Sequence, residues 1–141
     1  MYNYEELSEQ ELREIALSHE EVIVSLCALK RLQEPSILKE IALNGKEEQV
    51  RFAAMRRIND QSVMTEIALN DEYQILRYAA VIRVTDQEYL KYIALNRCDF
   101  IVKVHAIWKL TDKDILEYIS LNDLDSRIRR RAKERLEELN D

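Results

Sequence analysis

Glycine and proline are almost missing from this chain: Gly45 and Pro35 stand alone among 141 residues. Tight hairpins, β-bulges and glycine-rich phosphate loops rely on these two residues for backbone conformations that others resist. Their scarcity excludes a β-rich fold and a phosphate-cradling loop, and leaves an all-α fold. Cysteine is scarce as well. Cys27 and Cys98 lie far apart and form no metal-type or redox-type pair, so neither a disulfide framework nor a zinc site is indicated. A reducing, cytoplasmic setting is the expectation. No run approaches the roughly 18 apolar residues of a membrane span, and the first residues lack the basic region and apolar stretch of a secretory leader. A soluble protein with no membrane contact is expected.

What is abundant is charge and apolar surface together: 47% of residues are hydrophobic and 34% charged, with a net charge of -6. The first figure permits a real core over a single domain, 1 to 141. The net charge argues against a general nucleic-acid binder, since such binding rests on neutralising phosphates with Lys and Arg.

The sequence is organised as a repeat. Ile-Ala-Leu-Asn starts at Ile41, Ile67 and Ile93, with variants at Ile15 and Ile119, always 26 residues apart. Five repeats follow, at 9 to 34, 35 to 60, 61 to 86, 87 to 112 and 113 to 138, after a short flank at 1 to 8. Each repeat reads as two helices. In the first, Val63, Met64, Ile67 and Ala68 make one buried stripe. Ser8, Glu34, Asp60, Asp86 and Asp112 mark its start, with Pro35 at a first helical position. Asn44, Asn70, Asn96 and Asn122 mark its end, a residue type that tolerates the left-handed conformation closing many helices. Thr65 reads as exposed. The second helix carries Val50, Ala54 and Ile58 on one face, with equivalents in the other repeats. Its Ala column (Ala28, Ala54, Ala80, Ala106, Ala132) has no exception, the mark of a crossing too close for a larger side chain. Acids gather at its start (Glu21, Glu47, Asp99, Asp125) and bases at its end (Arg31, Arg57, Arg83, Lys109, Arg135), the arrangement a helix dipole favours. A 26-residue repeat cannot bury its own stripes, so neighbours are expected to stack. The fifth repeat puts Arg130, Arg131 and Lys133 where the second has Phe52, Ala53 and Met55, and reads as a solvated cap.

With helix pairs, an Asp or Asn after the first helix, and the runs Val50-Arg51-Phe52-Ala53-Ala54 and Leu76-Arg77-Tyr78-Ala79-Ala80, residues 9 to 138 resemble HEAT-like repeats. The short repeat also approaches leucine-rich variant repeats. The resemblance implies a right-handed α-solenoid whose second helices line a concave, ligand-binding side. It also implies an Asp–Arg ladder between repeats, matched in spacing by Asp71 with Arg77 and Asp123 with Arg129, and broken by Gly45 and Arg97. Function in such families is mostly the binding of other macromolecules, though a few members are enzymes, including DNA glycosylases and bilin lyases.

No nucleophile motif, Walker loop or dinucleotide fingerprint is present. Of the two histidines, His105 replaces Cys27, Ala53 and Ala79 in a half-buried column, and no second ligand recurs near it or His19. An enzyme is not expected, nor a cofactor or metal. The informative residues are departures from the repeat. The column holding Lys30 and Arg56 becomes Ile82 and Trp108, preceded on the same face by Ile75 and Tyr78, then by Ile101 and Val104. Packing between repeats accounts for Tyr78 and Val104; for Ile82 and Trp108 a core place and an exposed anchor are both open. An anchor rimmed by Arg56, Arg83 and Lys109 makes a protein-binding hot spot. A possible anion site is formed by Arg127, Arg130 and Arg131, although Glu134, Glu137 and Glu138 lie within one turn and favour a solvated cap laced with ion pairs. In the first repeat Val22 and Ile23 leave a helix apolar on most sides, to be covered by Tyr2, Tyr4 and Leu7 or by weak self-association. The function expected is a non-enzymatic scaffold binding another protein through the concave face of repeats two to four. A nucleic-acid or polyanion adaptor is the alternative, and a HEAT-like enzyme the third.

Overall fold

The computed structural model describes residues 2 to 141 and holds, among them, ten α-helices, one 3-10 turn and no strand. The turn is Tyr4–Glu6. The helices are α1 (Glu9–Ser18), α2 (Val22–Arg31), α3 (Pro35–Asn44), α4 (Glu48–Met55), α5 (Gln61–Asn70), α6 (Gln74–Arg83), α7 (Gln87–Leu95), α8 (Phe100–Lys109), α9 (Lys113–Asn122) and α10 (Ser126–Asn140). None is long and apolar enough to cross a membrane.

The chain divides into two compact units, Met1–Val63 and Met64–Asp141. In the first, α1 pairs with α2 and α3 with α4, while α2 lies on α4 and α1 on α3. In the second, α7 pairs with α8 and α9 with α10; α8 lies between α6 and α10, and α7 beside α9. The second helices, α2 and α4, or α6, α8 and α10, thus lie side by side. Ala28, Ala54, Ala80, Ala106 and Ala132 are all at 0% exposure. Around them are Leu32, Val50, Leu76, Val84, Val102 and Leu110, each removing a side chain from water for about 1.5–3 kcal/mol.

Helix starts follow residue chemistry. Ser8 and Glu11 form a reciprocal capping box, and Asp60, Asp86 and Asp112 each accept backbone N–H groups in the first turn of the helix they precede. Glu34 makes no such bond. At the second helices the shorter Asp99 and Asp125 cap, whereas Glu21 and Glu47 do not.

Two expectations are corrected. The asparagines do not close helices in a left-handed conformation, because no described residue has positive φ. The chain leaves instead through extended residues: Gly45, Asn96 and Asp123 each donate their N–H back to Ile41, Ile93 and Ile119 and then turn outward. Thr65 is buried, at 4%. Arg13, Lys39 and Lys91 occupy its column and reach Glu40, Asp60 and Asp112 with long stems, a way out that a short threonine lacks. The basic column of the expected ladder makes two kinds of contact. Arg77 and Arg129 donate to the backbone carbonyls of Asp71 (2.8 Å) and Asp123 (2.6 Å). The charge pairs go one repeat onward, Arg77 to Asp99 at 3.0 Å and Lys103 to Asp123 at 2.6 Å. Burial pushes the Asp99 carboxyl up, but Arg77 and the N–H groups of Ile101 and Val102 outweigh it and hold the pKa down.

Candidate functional site

Within the second unit, α6 presents Ile75 and Ile82, 57% and 58% exposed, with Tyr78 half-buried between them. Beside it α8 presents Ile101 and Trp108, 36% and 44% exposed, with Val104 half-buried. The i, i+3, i+7 spacing keeps each set on one face, and the neighbouring helices join the two into one apolar stripe. Ile82 and Trp108 are therefore surface residues, and Tyr78 and Val104 form the partly covered floor.

The expected rim behaves otherwise. Lys109 Nζ donates to the carbonyl oxygens of Val81 (2.6 Å), Ile82 (3.0 Å) and Val84 (2.9 Å). An ammonium has three N–H bonds, and here all are used. Burial pulls its pKa below the usual lysine range. Arg135 repeats this geometry toward Leu110 (3.0 Å), and in the first unit Arg57 does so toward Leu29 (2.6 Å) and Leu32. These three members of the basic column thus satisfy the open carbonyls at the end of the preceding repeat's second helix rather than their own. Arg31 pairs with Glu5 at 2.8 Å, and Arg83 is half-buried. Arg56 belongs to the first unit, where it is exposed at the end of α4.

Arg127, Arg130 and Arg131 of α10 face acids. Arg127 grips Asp125 through Nε (3.1 Å) and Nη2 (2.7 Å) and lies 4.1 Å from the Phe100 ring centre. That grip holds the Asp125 carboxyl at about 2. Arg130 and Arg131 both turn to Glu134, at 3.1 Å and 3.8 Å. In the first unit, the 3-10 turn packs on α2, with Tyr4 and Leu7 half-buried, while Ile23 stays 69% exposed. His19 Nδ1 accepts the Glu21 N–H at 3.0 Å, and His105 is half-buried. Among the described residues no cluster of His, Cys, Asp and Glu is placed to hold a metal ion.

A second apolar surface escaped sequence reasoning. On α7 and α9, Tyr92 and Leu95, then Tyr118 and Leu121, are exposed, and Leu124 beyond them is 84% exposed. Burial pushes the nearby Cys98 thiol to about 11. The signal was in the columns: Glu14, Glu40 and Glu66 become Tyr92 and Tyr118, and Glu20, Lys46 and Glu72 become Cys98 and Leu124.

No family profile, curated protein or solved structure matches the chain.

Proposed function

We propose that the chain is a HEAT-like, right-handed α-solenoid that acts without catalysis as a protein-binding scaffold. Its partner docks on the second-helix side of repeats two to four, with Ile82 and Trp108 as anchors. The observation that carries this reading is that a column charged in the first two repeats turns apolar at Ile82 and Trp108 and stays open to water. A large apolar side chain left in water forgoes about 1.5–3 kcal/mol, which a partner covering it recovers. Aromatic residues flanked by apolar neighbours are the usual centres of such contacts. The polyanion alternative has less support, because Arg57, Lys109 and Arg135 are engaged with carbonyls and Arg127, Arg130 and Arg131 with acids.

The test is affinity capture from the native host with wild type, Trp108→Ala and Ile82→Asp, followed by titration of the recovered partner. The expected outcome is that each substitution weakens binding by about 2 kcal/mol or more while the wild-type affinity changes little with salt. Indifference to both substitutions would sink the anchors, and a steep salt slope would favour a phosphate-bearing partner instead.

A further inference from the structure

A groove of about 510 Å³ lies between the ends of α7 and α9 and the starts of α8 and α10, all within the second unit. Its apolar wall is Leu95, Cys98, Phe100, Tyr118 and Leu124. Tyr118, Cys98 and Leu124 stand in columns that are charged in the first three repeats. Those repeats build the same helices with charges in place, so packing does not demand the exchange.

The charges of the groove are unbalanced in one direction. Lys103 is paired with Asp123 at 2.6 Å and Arg127 with Asp125 at 2.7 Å. Arg97 occupies the column of Gly45, Asp71 and Asp123, is exposed, and makes no hydrogen bond or ion pair among the described residues. The amides of Asn96 and Asn122 share the lining. One uncompensated guanidinium beside an apolar trough selects an acid next to a hydrophobic residue, a local preference that acts against the chain's net charge of -6.

We propose that this groove docks an acidic peptide segment of a partner protein, seating a bulky apolar side chain against Tyr118 and Leu124 and an adjacent carboxylate on Arg97. The surface is separate from the Ile82–Trp108 stripe, and the two stand or fall independently.

The experiment pans a phage-displayed peptide library on the full chain with counter-selection on Leu124→Asp, then measures an enriched peptide in synthetic, labelled form by fluorescence polarisation. Enriched peptides are expected to carry Asp or Glu beside Leu, Ile, Phe or Trp. Arg97→Glu should weaken the peptide about tenfold or more, and exchanging the peptide's acid for lysine should restore binding to that variant. Trp108→Ala should leave the affinity unchanged. Both groove variants alter exposed side chains, so the thermal midpoint should hold; Arg97→Glu carries the test if Leu124→Asp perturbs the fold. The proposal is overturned if nothing is enriched, if basic peptides are enriched, or if the charge of Arg97 makes no difference. It is equally overturned if the wild type sediments as a dimer that Leu124→Asp dissociates while no peptide is selected, which would assign the groove to a second copy of the chain.

Discussion

Lys109 brings a charge to the end of α6 and leaves none of its N–H bonds idle. Replacing it with methionine keeps the apolar stem but strands three carbonyl oxygens, so Lys109→Met should lower stability by about 1–3 kcal/mol in urea denaturation. Lys30→Met, at an exposed site on α2, should stay within about 0.5 kcal/mol. Equal effects would show that the carbonyl contacts contribute nothing. The spacing of the basic column was legible in the sequence; its reach was not, because periodicity fixes which residues are equivalent and not whether a flexible stem turns to its own helix or to its neighbour's. Exposure at Ile82 and Trp108 was undecided for a related reason, since an apolar residue in a charged column fits either a filled crossing or an open anchor. With Trp108 the only tryptophan and 44% exposed, acrylamide should quench its emission readily in the isolated chain, and partner binding should protect it.

Among the helices, the alanine column lies wholly inside the core. Ala54 is fully buried, so Ala54→Leu forces extra heavy atoms into a filled site and should cost about 1–3 kcal/mol, while Gln49→Leu on the exposed side of α4 should be near neutral. Similar chemical-denaturation midpoints for the two variants would mean that the buried face is wrongly assigned. The helix pairs and their stripes were readable because each repeat poses the same pattern again, and agreement among repeats removes accidents of composition. Boundaries read from one residue type fared worse. Asparagine tolerates a left-handed closure, but Gly45, Asn96 and Asp123 are followed within a few residues by the next helix, and an extended exit makes that corner directly. The apolar exchange on α7 and α9 was missed because tyrosine and leucine sit comfortably in a helical pattern. It stands out only when the first-helix columns are compared repeat by repeat, as the second-helix columns were.

Over the whole chain, the acids that receive cations respond together to pH. Arg13 holds Glu40 down, Lys39 holds Asp60, Lys91 holds Asp112, and Arg127 holds Asp125 at about 2 against an ordinary 3.8. A carboxyl whose folded pKa is depressed stabilises fully above its unfolded value and loses that contribution as pH falls through the folded one. Thermal midpoints followed by circular dichroism should therefore be flat from pH 7 to about 5 and drop steadily below about 4. A midpoint indifferent to acid down to pH 2 would show that these carboxyls titrate alike in the folded and unfolded chain. The carbonyl contacts of Arg57, Lys109 and Arg135 all run in the same direction, each reaching carbonyls 25 to 28 residues earlier at the end of a helix already made. A chain leaving the ribosome amino end first meets this as a delay: the carbonyls of Val81 and Val84 emerge well before the lysine that answers them. The pairs that end in α2, α6 and α8 are each finished by the repeat that follows, so their maturation during synthesis trails elongation by one repeat.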